Sequence, residues 1–414
     1  MRRLWPLTAR GTGALALAVG CFVAANELGI PALMYFGLLL PAAVAAALIS
    51  LHLARHSEQV ERTLRPETAT VGERVRVSLG VSMRSSLPTA PGSWSDRLSS
   101  GFAGDAHGAF PALRSGLRAG EQEVTLEYSA VGIRRGVHVL GPLSVRTTDP
   151  FGLARRDSTL GATTAVSVAP AVIDLPTLSE FSGESGGALH SVNSRLGQGA
   201  DNLIARHYVP GDSMRRIHWR ASAHRDALMV RQEEQESTPD ATVVLDRSLV
   251  RWQASALLEP GADPSFEHAV SLCVSVALRL VSDGYSVEVL DTDGAPLAER
   301  IDAGDLGEVE ELIRRCATLT AHRDDRLAAL APRYAGDTTG PLVLIVGRLT
   351  PADVPALGGL AHHTALPVLL AIAPVDDALA RAASIGWHTA ATADADDAVD
   401  AWVGAVARGV SRVG

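Results

Sequence analysis

The sequence predicts three architectures in series: a hairpin of membrane helices, an antiparallel β-sandwich, and a mostly parallel, doubly wound α/β domain. Three observations carry this. Two long uncharged segments lie near the N-terminus, the next stretch alternates apolar and polar residues with period two, and the C-terminal half alternates short apolar runs with helical patterns. With 414 residues and 47% hydrophobic content, the chain has material for two or three cores.

The hairpin is read over residues 1–56. Gly11 to Ala25 is uncharged, and Ile30 to Leu53 is a longer uncharged run with His52 near its end. At about 1.5 Å per residue the second run is long enough to cross a hydrocarbon core of roughly 30 Å. The first is extended by Leu4, Trp5 and Leu7, with Arg10 placed to snorkel. A cleaved signal peptide is the competing reading of the first segment, because Met1-Arg2-Arg3 precedes it and Val23-Ala24-Ala25 resembles a cleavage site. Arg2, Arg3 and Arg10 lie before the first segment, and Arg55, Arg62 and Arg65 lie after the second, while the connecting Asn26-Glu27 has no positive charge. The positive-inside rule then predicts a multi-pass protein of the cytoplasmic membrane with most of the chain in the cytoplasm.

Residues 57–150 are read as the sandwich, of immunoglobulin or fibronectin type. Val71, Val75, Val77, Leu79 and Val81 alternate with polar residues, as do Val124, Leu126 and Tyr128, then Val137 and Val139, then Leu143 and Val145. Residues 151–200 read as a strand at Thr164–Val168 followed by a flexible linker. Its Ser182-Gly183-Glu184-Ser185-Gly186-Gly187 run has neither the lysine nor the following helix of a phosphate loop.

Residues 201–414 hold the third domain. Strands are expected at Thr242–Leu245, Ser286–Leu290, Leu342–Val346 and Pro367–Ile372. Helices are expected at Phe266–Ser282, Leu306–Thr318, Asp353–Leu360, Asp376–Ala383 and Asp396–Arg408. Strands this uniformly apolar are buried on both faces, as in a parallel sheet, where ligands bind at the carboxyl ends of the strands.

The densest chemistry lies just before this sheet, in Arg206 to Arg231. Six arginines and three histidines crowd around a Pro210-Gly211-Asp212 turn. Pro210 and Gly211 suit a type II turn, and Asp212 or Ser213 can cap a helix from Met214 to His224. A short strand around Leu228 and Val230 follows. Two roles compete for the stretch. In one, Arg206, Asp212 and Arg216 form an internal ion-pair network with Trp219 as its apolar anchor, leaving Arg220 and Arg225 for a partner; in the other, the arginines form an anion-binding surface. The acidic run Glu233, Glu234, Glu236 reads as a solvated strand exit.

The pattern Arg206-x-Tyr208-x-x-Gly211-Asp212-x-x-x-Arg216-Ile217-x-Trp219, followed by Ser222, Ala223, Leu228 and Val230, resembles the signature of the domain of unknown function 58 family. A second stretch, with Arg134-Arg135-Gly136, Leu140-Gly141-Pro142 and Asp149-Pro150-Phe151-Gly152-Leu153, resembles that family's junction between a β-domain and its core. The resemblance implies a membrane-attached bacterial protein with a von Willebrand factor A-like (Rossmann-type) α/β domain, a MoxR-type AAA+ ATPase as partner, and no established catalytic residues.

A von Willebrand A domain binds Mg²⁺ through an Asp-x-Ser-x-Ser loop after its first strand. Here Asp246-Arg247-Ser248 supplies two of the three oxygens, but Val250 stands in the third position and Gly347-Arg348 follows a later strand where an acid is wanted. No cofactor is therefore expected, and a metal-dependent receptor using Asp246 and Ser248 is the alternative. All 37 basic side chains are arginine, which excludes Schiff-base and Walker lysines, and the net charge of −9 argues against nucleic acid as a partner. Ser222, with His218 or His224 and Asp226, composes a triad only on paper, without a nucleophile elbow. The three cysteines are too scattered for a metal cage and read as buried or reduced thiols. The expectation is a membrane-anchored, cytoplasm-facing interaction scaffold without catalytic activity; an enzyme of cell-envelope substrates is the remaining alternative.

Overall fold

The computed structural model describes residues 6–53, 59–83, 89–113, 122–178, 203–207, 217, 219–225, 227–233, 238–334 and 339–413. The chain forms two compact units, Met1–Ala171 and Val172–Gly414.

The first unit begins with α1 (Ala9–Leu28) and α2 (Pro31–Leu53), both long and apolar enough to cross a membrane. Thr8 caps α1 through its side chain, and Gly29 ends it in the left-handed region at φ 64°, which lets the chain reverse at once into α2. Small residues bring the helices together: Ala18, Ala25 and Ala47 are buried, and a Cβ at Gly37 would lie 3.1 Å from the Phe22 ring.

Eleven strands follow among the described residues. The first sheet has the order β1-β3-β7-β5 and is built from β1 (Val60–Arg65), β3 (Arg74–Met83), β5 (Phe102–Gly104) and β7 (Gln122–Gly132). The second pairs β10 (Arg155–Leu160), β9 (Leu143–Thr148), β4 (Ala90–Asp96) and β6 (His107–Phe110) in that order. A third, smaller sheet joins β2 (Ala69–Thr70), β11 (Thr164–Ala169) and β8 (Gly136–Leu140). The period-two pattern works as expected on β3, where Val75, Val77, Leu79 and Val81 all point into the core, and on β7. It misleads on β8, where Val137 and Val139 are 57% and 42% exposed and the buried ends are Gly136 and Leu140. An edge strand covered on one side can turn its apolar face outward at small cost, and alternation alone does not say which face is covered. The expected strand at Thr164–Val168 is β11, and with β10 it belongs to the β-unit, which therefore runs past residue 150 to Ala169. The Ser182–Gly187 run lies outside the described residues.

Buried polarity in the sandwich is paired. Asp96 accepts from Arg62 at 3.0 Å and from the Tyr128 hydroxyl at 2.9 Å. Burial, reinforced by that carboxylate, pushes the Tyr128 phenol far above its ordinary range.

The second unit centres on five parallel strands in the order β15-β14-β16-β17-β18, namely β15 (Ser286–Asp291), β14 (Asp240–Leu245), β16 (Thr339–Val346), β17 (Thr364–Ala371) and β18 (His388–Ala391). Counted along the chain this is 2-1-3-4-5, the flavodoxin-like version of a doubly wound sheet. Val243 and Leu245 point into one core with Phe266, Leu312 and Trp402, whereas Val244 points into the other with Leu344 and Trp387. Burial on both faces explains the uniformly apolar strands. Three helices supply the first layer: α4 (Pro264–Ser282), α5 (Leu306–Cys316) and α8 (Ala395–Val413); α6 (Val354–Ala361) and α7 (Ala378–Ser384) supply the second. A further helix, α3 (Trp219–Arg225), lies in the signature, and single α-helical turns stand at Ser255–Leu258 and Leu330–Arg333. By length and composition α4 could also cross a membrane, but 67% of its apolar window is buried inside the protein, so it is a core helix. Cys273 and Cys316 are buried thiols and Cys21 is half-buried; burial pushes the Cys273 thiol well up.

Candidate functional site

In a 2-1-3-4-5 sheet the crevice opens where the connections after the first and third strands diverge. Here that is the carboxyl end of β14 and β16. Strand β14 leads directly into Asp246, fully buried, whose Oδ1 accepts the backbone N–H of Ser248 at 3.1 Å. The chain then makes one tight turn, Leu249–Arg251, which returns the Arg251 side chain over the strand end.

Arg251 fills the crevice. Its Nη1 lies 3.4 Å from Asp246 Oδ2 and donates to Asp325 Oδ1 at 2.9 Å; its Nη2 donates to Asp325 Oδ2 at 3.2 Å and to Asp353 Oδ1 at 2.9 Å. The guanidinium is only 3% exposed, and three carboxylates from three connections converge on it. Asp353 is itself fixed by the backbone N–H and hydroxyl of Thr350, at 2.9 and 2.7 Å. The turn must pass very close to β16. A Cβ on Gly347 would lie 2.3 Å from the Arg251 carbonyl and 2.8 Å from the Trp252 ring, so only glycine leaves room. Trp252 donates its indole N–H to the Asp246 carbonyl at 2.9 Å.

A second ion cluster lies beside the first. Arg247 donates to Asp291 at 3.1 Å and twice to the Thr320 carbonyl, and His322 Nε2 lies 2.9 Å from the same Asp291 oxygen. Thr292 bonds the other Asp291 oxygen through its N–H, at 2.6 Å.

The electrostatics differ between the carboxylates. Burial raises the Asp246 carboxyl from an ordinary value of 3.8 to about 7, against the pull of Arg251. The hydrogen bond from Arg251 holds Asp325 below its usual value. Burial opposes the same effect at Asp353, where the bonds from Thr350 and Arg251 prevail.

These residues do not fit Mg²⁺. Asp246 and Ser248 do come together at the strand end, but a buried guanidinium stands where a cation would approach, and Val250 is 68% exposed and offers no oxygen. Among the described residues no group of three acidic, histidine or cysteine side chains is arranged to hold a metal. The positive charge beside Asp246 is that of Arg251, whereas Arg348 turns its side chain to solvent and donates its backbone N–H to the Arg251 carbonyl at 3.0 Å. Sequence reasoning missed Arg251, Asp291, Asp325 and Asp353. One signal was available: β15 ends in Val-Leu-Asp and β14 runs into the same triplet, which puts two acids one register step apart at the carboxyl ends of neighbouring strands.

The Arg206–Arg231 stretch forms a small antiparallel pair, β12 (Leu203–His207) with β13 (Met229–Glu233), in which Arg206 lies opposite Val230. Between them stands α3 (Trp219–Arg225). The helix begins later than expected, since Ile217 is already in a β-bridge with Val230. Ile217, Met229 and Val230 are buried, and Ser222 Oγ accepts the Met229 N–H at 2.8 Å, pinning α3 to β13. Trp219 is not the apolar anchor: it is 69% exposed. An indole in the first turn of a helix that follows a bridge is carried away from the sheet, and the buried anchors are instead Ile217 and Met229. Arg206, Arg220 and Arg225 take their backbone places in β12 and α3, whereas Tyr208, Gly211, Asp212 and Arg216 lie outside the described residues, as do His218 and Asp226.

The chain is 21% identical over 319 residues, 75% of either chain, to the Bacillus subtilis (strain 168) protein described as "Uncharacterized protein YeaD". Among solved structures it is similar to the CARDB domain of PF1109 from Pyrococcus furiosus (13% identity, TM-score 0.19, covering 27% of this chain and 92% of that one). It is also similar to the PKD domain of an M14-like peptidase from a Thermoplasmatales archaeon (11%, TM-score 0.17, covering 28% and 97%). Residues 204–320, which run from β12 through the signature to the edge of the switch-point clusters, match the family described as "Protein of unknown function DUF58".

Proposed function

We propose that this protein is a membrane-anchored, cytoplasm-facing interaction scaffold whose partner is a MoxR-type AAA+ ATPase, in an assembly or chaperone-like role at the membrane, and that it acts by binding rather than by catalysis. The observation that carries the reading is the exposed Trp219 in the middle of the signature. Its helix is fastened from below by Ile217, Met229 and Ser222, so an aromatic side chain is presented on a fixed support. Rigid, exposed tryptophan is the residue type most enriched among interface hot spots. The crevice that would hold a ligand in this fold is meanwhile filled by Arg251 and its carboxylates, which leaves surface rather than a cleft as the means of action.

The α/β unit is read as a von Willebrand A-like module in which an internal guanidinium takes the place of the metal beside Asp246 and Ser248. This reading sets aside the metal-dependent receptor, since a cation would compete with a charge that the chain supplies itself. The cytoplasmic orientation rests on the arginines that flank the hairpin.

The test is a binding titration between the full chain in lipid nanodiscs and a purified MoxR-type ATPase. Trp219→Ala should weaken binding about 30-fold or more, as expected of a hot spot worth at least ~2 kcal/mol, and should change folding stability by no more than ~0.5 kcal/mol. Equal affinity of variant and wild type, or no binding by the wild type, would overturn the proposal.

A further inference from the structure

The turn from Asp149 to Ala154 is locked against both helices of the hairpin. The Thr8 hydroxyl donates to the Gly152 carbonyl at 2.6 Å, and the Thr8 backbone N–H donates to the Leu153 carbonyl at 3.0 Å. One turn further along α1, Gly11 lies so close that a Cβ there would sit 2.1 Å from the Leu153 carbonyl oxygen. On the other helix, Arg156 donates to the Leu51 carbonyl at 2.7 Å, satisfying one of the groups that a helix end leaves open.

The apolar contacts reach deeper. Leu153 packs in the cluster that includes Ala14 and Leu15 of α1, and Ala154 is buried with Val44, Ala47 and Leu51 of α2. Thr8 to Leu15 and Leu51 back to Val44 are each seven residues, or about 10 Å of helix. The cluster that holds the turn therefore reaches about two turns into the apolar hairpin, and the turn itself sits level with Gly11 and Leu51.

At the crest of this turn Phe151 is 74% exposed. It is not loose: the buried Asp149 accepts the N–H groups of Phe151 at 2.9 Å and Ala154 at 2.6 Å. Beside it the exposed Arg10 approaches Gly152, where a Cβ would lie 3.5 Å from its Nη1. A fixed, exposed phenyl ring next to an arginine, at the level where an apolar helix enters, has the chemistry of a membrane–water boundary.

We propose that the Asp149–Ala154 turn is a third membrane contact, in which Phe151 enters the boundary between headgroups and acyl chains of an anionic leaflet while Arg10 meets the phosphates. The proposal rests on the reading that α1 and α2 span the bilayer. The occupant is lipid, because the turn is bonded to the ends of both helices of a hairpin whose exposed side chains are apolar, among them Leu17, Phe36 and Leu39. The turn would thereby set the angle at which the β-unit stands on the membrane.

Nitroxide labels on Phe151→Cys, Leu39→Cys and Ser144→Cys test this, each in the full chain carrying Cys21→Ser and reconstituted into vesicles containing phosphatidylglycerol. Collisional relaxation by oxygen and by a water-soluble nickel chelate reports depth. The proposal expects the label at 151 to meet nickel roughly fivefold less often than the label at 144, and to remain accessible to oxygen, as at an interface. Nickel access at 151 equal to that at 144, with 39 still lipid-like, overturns this contact alone. Protection at 151 from both reagents means that protein covers it, which also overturns the proposal. A water-exposed label at 39 removes the spanning hairpin and this contact together.

Discussion

Replacing Asp246 with Asn removes one ionisation from the crevice and little else. The folded carboxyl has a value of about 7 against an ordinary 3.8, with burial as the main cause. A raised folded value means that the native state holds a proton which the unfolded chain has released. The group's favourable contribution is therefore complete below about pH 4 and is lost as pH rises through 7. At about 1.4 kcal/mol per tenfold change in proton concentration, the wild type carries a penalty of roughly 4 kcal/mol at pH 8 and roughly 1.5 kcal/mol at pH 5. Asp325 and Asp353 are held below their ordinary values and titrate outside this window. The stability of Asp246→Asn relative to wild type should then rise by about 2–3 kcal/mol between pH 5 and pH 8. Lost hydrogen bonds shift this difference by a constant and leave its slope alone. Urea titrations of the full chain in mild detergent measure it, with the α/β transition assigned from hydrogen exchange in β14. A difference that stays flat, or falls, with rising pH would show that Asp246 ionises normally and that the crevice is wet.

Two further outcomes follow from the same cluster. Gly347→Ala places a methyl group against the Arg251 backbone and the Trp252 ring, both on the turn that holds the guanidinium, and should cost about 1–3 kcal/mol in the same titration; a neutral result would mean that the turn is free to move. Millimolar Mg²⁺ should leave the melting temperature unchanged, whereas a site with a Kd a hundredfold below the added metal would contribute about 2.7 kcal/mol; an upward shift that disappears in Asp246→Ala would restore the receptor reading.

Much of the scaffold was legible because its cores impose strict periods. The paired apolar segments before Leu53, the inward valines of β3 and the double-sided strands of the sheet all follow from burial that sequence records directly. Strand β18 was missed because His388-Thr-Ala-Ala is four residues long with no apolar run, and it is a strand only because β17 lies beside it. The outward turn of Val137 and Val139 was hidden for a related reason, since period two fixes two faces but not which is covered. The site was harder to read. Asp246 and Ser248 could be placed at a strand end, but Arg251, Asp325 and Asp353 meet only through three connections separated by up to 102 residues. Nothing in the local pattern around Trp219 distinguishes a buried indole from an exposed one; the bridge at Ile217 decides it.

The proposed MoxR-type partner would spend ATP and so requires the signature to face the cytoplasm, which makes the side of the membrane that holds the C-terminus the measurement that decides. Paired reporter fusions after Gly414, one active only in the cytoplasm and one only outside it, decide the matter in intact cells. Signal is expected from the cytoplasmic reporter alone, with the C-terminus protected from added protease until the membrane is opened. Activity of the external reporter, or cleavage in intact cells, would contradict both the orientation and the proposed partner.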